Sequence, residues 1–171
     1  MYYTSMATPV GTLMLVGDST QLTQLLLPTQ DGSPLPPPPG SRPDPGPFAS
    51  AITQLEGYFA GDRTDFDLPL APAGTPFQRQ VWDALRTIPF GRTTSYGVIA
   101  TLIGSPGSAR AVGLANNRNP LPLVIPCHRV IGSTGALVGY GGGLACKRWL
   151  LDHEARVLAA SGVVQDAATL W

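Results

Sequence analysis

From Pro28 to Pro47 the chain holds nine prolines, four of them consecutive. Proline lacks a backbone N–H and fixes φ, so this stretch can neither feed a sheet ladder nor continue a helix. It is expected to be a mobile or polyproline-like surface loop, and regular structure must lie on either side of it. Before it, residues 2–7, 12–16 and 22–27 are short β-prone runs. Pro9-Val10-Gly11 and Gly17-Asp18-Ser19 separate them, the pattern of an antiparallel meander. After it, Phe48, Ile52, Leu55 and Phe59 share one helical face with Gly61 as terminator, and Phe66, Leu68 and Leu70 alternate as in a last strand.

The remainder reads as short helices with legible caps. Thr75-Pro76 is an N-cap followed by proline at the first helical position, and Phe77, Val81, Trp82 and Leu85 give a buried stripe that runs on until Pro89 and Gly91. Ser95 caps the next helix, with Val98, Ile99, Leu102 and Ile103 apolar and Gly104 at its end. Ser105-Pro106 then opens another. Two helices joined through a glycine suggest a helix-turn-helix, with residues 106–116 as the recognition element. The expected architecture is α+β, with a small α/β domain over 1–74 and a mainly helical, winged-helix-like domain over 75–171. At 171 residues and 43% hydrophobic, the chain can bury a real core, whether as one large or two small domains.

The formal net charge is zero, but residues 1–74 carry two basic and seven acidic side chains and residues 75–171 carry nine and four. Phosphate binding therefore belongs to the second half. The candidate recognition helix is built of small residues with Arg110 as its only charge, which suits close, sequence-tolerant approach to a minor groove better than base reading in the major groove. No run of about 20 apolar residues and no basic-plus-apolar leader is present, so a cytoplasmic protein without membrane association is expected.

The chemistry concentrates in residues 125–131, Ile-Pro-Cys-His-Arg-Val-Ile. A thiol is only a few per cent ionised near neutral pH and needs a base or a positive charge beside it. His128 and Arg129 offer both next to Cys127. The competing reading is a buried strand with an inert cysteine. On an extended segment Cys127 and His128 point to opposite faces, so a bridging water is the simplest relay between them. The carboxylate that orients the imidazole must come from elsewhere, and Glu154 is the candidate. Cys127, His128, Cys146 and His153 lack the paired spacing of a zinc site. Cys146 falls with Leu150, His153 and Val157 at helical spacing, the setting of a small core residue.

The heptapeptide is followed by residues 135–144, Gly-Ala-Leu-Val-Gly-Tyr-Gly-Gly-Gly-Leu, then Lys147 and Trp149 to Glu154; upstream stand residues 109–113, Ala-Arg-Ala-Val-Gly, and Asn119-Pro120. Over residues 75–154 this resembles the O6-alkylguanine-DNA alkyltransferases, also called methylated-DNA–protein-cysteine methyltransferases. The resemblance implies a ribonuclease-H-like first half and irreversible, single-turnover transfer of an alkyl group from O6-alkylguanine, with O4-alkylthymine as a further candidate, to Cys127. His128, Glu154 and Asn119 are the implied catalytic partners, Asn119 bracing the turn beneath the active-site segment. Tyr140, Gly141, Val130 and Pro122 line the implied base pocket: the Cys127 and Val130 carbonyls accept the guanine amino protons, the Gly141 amide meets O6 and the Tyr140 hydroxyl meets N3. Arg110 matches the residue that enters the duplex in place of the extruded nucleotide, and Tyr96 the one that crowds the target phosphate. Ser105, Ala109, Gln78 and Ser133 complete the implied DNA contacts.

No cofactor and no metal is implied. Some relatives hold a structural zinc in the first half, where this chain has neither cysteine nor histidine. The implied partner is double-stranded DNA containing O6-alkylguanine, met by a monomer. Two other classes compete. A non-catalytic binder of alkylated DNA that recruits repair factors would carry tryptophan in place of the nucleophile, and a cysteine hydrolase would draw its histidine from a distant part of the sequence.

Overall fold

The computed structural model describes residues 1–162; the end of the expected second domain, residues 163–171, lies outside the described residues. The chain divides into two compact units. The first comprises Met1–Ala73 together with Pro120–Val124, and the second runs from Gly74 to Asn119 and resumes at Ile125. The architecture is α+β.

In the first unit β1 (Tyr2–Thr8), β2 (Gly11–Gly17) and β3 (Leu22–Leu26) form the antiparallel meander that the turn residues announce. Leu13, Met14, Leu15 and Val16 of β2 are all buried, as befits a strand with neighbours on both edges. The proline-rich segment differs from its expected reading at one point: Arg42–Pro43 forms a short strand, β4, parallel to β1 at the sheet edge. Arg42 N donates to Met1 O and Asp44 N to Tyr3 O, so Pro43, which has no N–H, sits between two donors where the ladder asks nothing of it.

Helix α1 (Ala49–Ala60) ends at Gly61, which is left-handed at φ 82°. Its buried face is Ala51, Gln54, Leu55 and Tyr58, rotated from the expected 48-52-55-59 stripe, and Phe48 belongs to the 3-10 turn that precedes the helix. The run from Phe66 to Leu70 is no strand: only Leu70 bridges to Leu22. The reason is a side chain. Gln54 accepts from Asp67 N at 2.8 Å and donates to Asp67 O at 2.9 Å, so its amide takes the ladder bonds there. In Pro120–Val124, Pro120 O accepts from Leu25 N of β3, and Leu123 is held at φ 74°.

The second unit opens with α2 (Pro76–Leu85), whose Thr75 cap forms a full capping box with Gln78. Val81, Trp82 and Leu85 are buried as the stripe requires, but the helix stops at Leu85, ahead of the expected Pro89. β5 (Thr94–Ser95) leads into α3 (Tyr96–Leu102), where Ser95 Oγ accepts from Val98 N. The buried residues of α3 are Ile99 and Ala100, and Leu102 is exposed. The following helix, α4 (Ala109–Asn117), begins later than Pro106, because Gly107 N, Ser108 N and Ser108 Oγ all turn back onto Ser105 O. Helices α2, α3 and α4 pack on one another, with Trp82 Nε1 donating to Ala115 O inside the core. Residues Val130–Ile131 form β6, parallel to β5, and α5 (Leu144–Ala160) closes the unit.

Candidate active site

Cys127, His128 and Arg129 form a single 3-10 turn, not the extended segment expected from the apolar run. Pro126 enters it, Arg129 N closes on Pro126 O, and Val130 N closes on Cys127 O. All three residues are buried, with Cys127 4% exposed and His128 inaccessible. The turn is braced from α4 and its C-terminal end. Asn119 Nδ2 donates to Ile125 O at 2.8 Å, and Asn116, which the sequence did not single out, reaches Cys127 O at 3.4 Å.

His128 Nε2 lies 2.7 Å from Glu154 Oε1, so the expected pairing is formed across 26 residues of chain. Glu154 is fully buried and holds much more than the imidazole. Arg129 reaches it through Nε at 2.9 Å to Oε2 and through Nη2 at 2.9 Å to Oε1, while Arg129 Nη1 donates to Ile88 O. Gly91 N adds a further donor at 3.2 Å, from a residue at φ +76° where a Cβ would stand 2.6 Å from Leu158 Cδ2. A side chain at position 91 would therefore both strain the backbone and strike α5. The sequence marks Gly91 only as a helix stop, and it assigns Arg129 to the thiol. The fold commits that guanidinium to Glu154.

These contacts set the protonation states. Burial alone would raise the Glu154 carboxyl, but the charge and hydrogen bond of His128 and those of Arg129 outweigh it and hold the group well below the usual carboxylate range. Burial lowers His128 against the pull of Glu154, so the imidazole is neutral near neutral pH. A neutral imidazole that donates Nε2–H to a carboxylate has its lone pair on Nδ1, and His128 Nδ1 has no hydrogen-bond partner among the described residues. Nδ1 is thus free to accept a proton.

The thiol is poised less obviously. Burial pushes Cys127 up to about 11, opposed by a hydrogen bond from the Asn119 side chain, by the charge of Lys147, and by the Cys127 and His128 amides. Asn119 therefore serves the sulfur as well as the backbone turn. Lys147 is fully buried and donates to Val130 O at 2.7 Å and Val138 O at 2.9 Å. Its signal in the sequence was legible: Lys147, Leu150 and Glu154 share one face of α5, and charges on an apolar face are buried charges.

The buried face of α5 is Lys147, Leu150, His153 and Glu154, so Cys146 sits at its margin, partly exposed. Burial, then the neighbouring Cys127, pushes the Cys146 thiol up to about 11 as well. His153 stacks on Trp149 with ring centroids 4.9 Å apart.

Of the implied pocket residues, Val130 is buried and its carbonyl accepts from Lys147; the Cys127 carbonyl accepts from Val130 N and Asn116. Each such oxygen has two lone pairs. Tyr140 is half-buried and Gly141 exposed, with open space where its Cβ would be. Pro122 is buried and counts with the first unit. Of the implied DNA contacts, Arg110 and Ser133 are exposed, Ser105 and Ala109 are half-buried, and Gln78 has its amide oxygen engaged by Thr75 N in the capping box. The Tyr96 ring lies over Gly113 of α4, 3.7 Å from where a Cβ would stand, and its hydroxyl is raised by burial and by nearby Cys127.

Comparison with known proteins accords with this geometry. Residues 1–72 match the 6-O-methylguanine DNA methyltransferase ribonuclease-like domain, and residues 76–156 match the 6-O-methylguanine DNA methyltransferase DNA binding domain. The methylated-DNA–protein-cysteine methyltransferase of Mycobacterium tuberculosis is 51% identical over 158 residues, covering 90% of this chain and 92% of that one. Its counterpart in Methanosarcina acetivorans is 46% identical over 154 residues, covering 90% and 98%. The crystal structure of Mycobacterium tuberculosis OGT in complex with DNA matches with a TM-score of 0.86 at 49% identity, covering 92% of this chain and 94% of that one. The chain belongs to the 6-O-methylguanine DNA methyltransferase family and is a DNA-binding methylated-DNA–protein-cysteine methyltransferase of DNA repair.

Proposed function

We propose that Cys127 is the acceptor and that the substrate is O6-alkylguanine in duplex DNA, turned out of the helix from the minor-groove side and repaired once per protein molecule. The observation that carries this is the Cys127–His128–Glu154 arrangement: a buried thiol beside a neutral imidazole whose Nε2 is tied to an ionised carboxylate and whose Nδ1 can accept. The thiol proton passes through a water to Nδ1. The sulfur attacks the alkyl carbon, the S–C bond forms as the C–O6 bond breaks, and the electron pair stays with guanine, which takes up a proton to become the normal base. Asn119 and the two amides of the turn stabilise the thiolate while it exists.

An O6 atom inside the stack is out of reach of a buried thiol, so the nucleotide must leave the duplex at a cost of a few kcal/mol. Exposed Arg110 on a helix of small residues fits the vacated stack, and Tyr96 crowds the phosphate. O4-alkylthymine presents a similar alkyl ether and is a further candidate substrate. The protein acts as a monomer in the cytoplasm; among the described residues no helix is long and apolar enough to cross a membrane. Incubation with O6-methylguanine DNA followed by intact-mass measurement tests the proposal. We expect a persistent gain of one methyl in place of hydrogen, mapped by peptide mass to Cys127 and absent from Cys127→Ser, which should still bind DNA. Methyl on Cys146, or an unchanged mass with binding intact, overturns it.

A further inference from the structure

We infer that Lys147 is a positioning residue for the transfer reaction, the buried counter-charge that receives the Cys127 thiolate while clamping Val130 and Val138. This rests on Cys127 being the acceptor. Among the described residues the fully charged buried groups of the second unit are Arg129, Glu154 and Lys147. Arg129 and Glu154 neutralise each other through two close contacts, leaving His128 to a carboxylate already paired. Among the described residues no carboxylate pairs with Lys147. Its ammonium is satisfied by two carbonyl oxygens, which solvate a cation without cancelling its charge.

The location of those carbonyls matters. Val130 N closes the Cys127 turn while Val130 O holds Lys147, so the ammonium is anchored to the residue that caps the nucleophile's turn. Among the described residues the other groups beside the thiol are the Asn119 amide, Tyr96 from α3 and Cys146 from α5, none of them a cation, and His128, next in the chain, is neutral near neutral pH. Ionising Cys127 therefore converts a buried lone cation into a buried neutral pair. That change favours the thiolate in a medium of low dielectric, where a single unpaired charge is costly. Consistent with this, burial lowers the Lys147 ammonium and the thiolate opposes that lowering.

The test has two arms. Glutamine keeps an N–H donor for the carbonyls and removes the charge, whereas arginine keeps the charge. Iodoacetamide labelling of Cys127 from neutral to alkaline pH should shift its midpoint upward in Lys147→Gln by about one pH unit or more, slowing labelling at neutral pH about tenfold. Lys147→Arg should recover most of that loss. A Lys147→Gln profile identical to wild type would reduce Lys147 to a brace for the loop and overturn the inference. The second arm needs no variant of the lysine, because Lys147 is the only lysine in the chain. With lysine carbon-13-labelled at Cε, its single NMR signal should inflect at the pH where Cys127 titrates, and the inflection should vanish in Cys127→Ser. An unresponsive signal overturns the inference even if Lys147→Gln fails to fold. Methyl mapped to Cys127 with no inflection sinks only the Lys147 assignment, whereas methyl mapped elsewhere sinks the acceptor assignment beneath it.

Discussion

The two units bury polar groups on different terms. In the first, the only buried polar or charged side chain among the described residues is Gln54, which ties its own helix to the Asp67 backbone. In the second, Thr94, Asn116, His128, Arg129, Lys147, His153 and Glu154 are all buried. A buried charge costs several kcal/mol unless it is paired, and a hydrophobic substitute of similar volume is often as stable. The first unit shows what this chain does when stability alone is at stake: it fills the sheet with leucine and satisfies one amide. The second accepts a charged interior, in which Asn116, His128, Arg129, Lys147 and Glu154 lie on or against the turn at 127–130. Buried ionisable groups gathered in one unit are a signal of a functional site that a fold by itself does not give.

The comparison can be broken most severely at Glu154. In Glu154→Gln the guanidinium of Arg129 is left buried without its counter-charge, so we expect a loss of about 3 to 5 kcal/mol in stability. Transfer should slow and the labelling midpoint of Cys127 should rise, because His128 loses the partner that orients it. Urea melts and pH-dependent iodoacetamide trapping measure the two effects separately. An unshifted trapping profile would remove Glu154 from the proton relay and leave it a purely structural ion pair.

The matching change in the first unit is Gln54→Ala, which strands the Asp67 N–H and C=O. We expect about 1 to 3 kcal/mol of lost stability. Per folded molecule, methyl transfer should be unchanged. If transfer falls in proportion to stability at temperatures where the variant is fully folded, the division of labour between the units is wrong.

The smallest disturbance to the fold should come from Arg110→Ala, since the side chain is exposed. Stability should stay within about 0.5 kcal/mol. Repair of duplex DNA should nevertheless lose about 1 to 3 kcal/mol, the scale of unstacking one base, while reaction with free O6-benzylguanine is spared. Equal damage to both substrates would make Arg110 a support of the pocket and not of nucleotide extrusion.

What could be read from the residues was local. Thr75-Pro76 with Gln78, Ser95 with Val98, and Gly61 after α1 are caps whose donors and acceptors lie within a turn of each other, and the strands of the meander announce themselves by the turns between them. Where the reading failed, a distant group had intervened. The Phe66 to Leu70 alternation gives no strand because Gln54, 13 residues away, takes the backbone bonds of Asp67. The late start of α4 has a local cause, Ser105 O drawing in three donors, but proline at position 106 signals a helix start all the same.

The site divides the same way. Sequence alone determined that Cys127 stands beside an imidazole in an apolar run, that Glu154 is available to orient it, and that the positive charge lies in the half of the chain that carries them, because these follow from residue type and order. It misassigned Arg129 and passed over Lys147, Asn116 and the Gly91 amide. Only the tertiary structure decided which cation neutralises Glu154 and which is held by the Val130 carbonyl, since Arg129 and Lys147 meet these partners across 25 and 17 residues of chain. Charge is a property of a residue, but its energy depends on what the fold places within a few ångströms of it and how much water it removes.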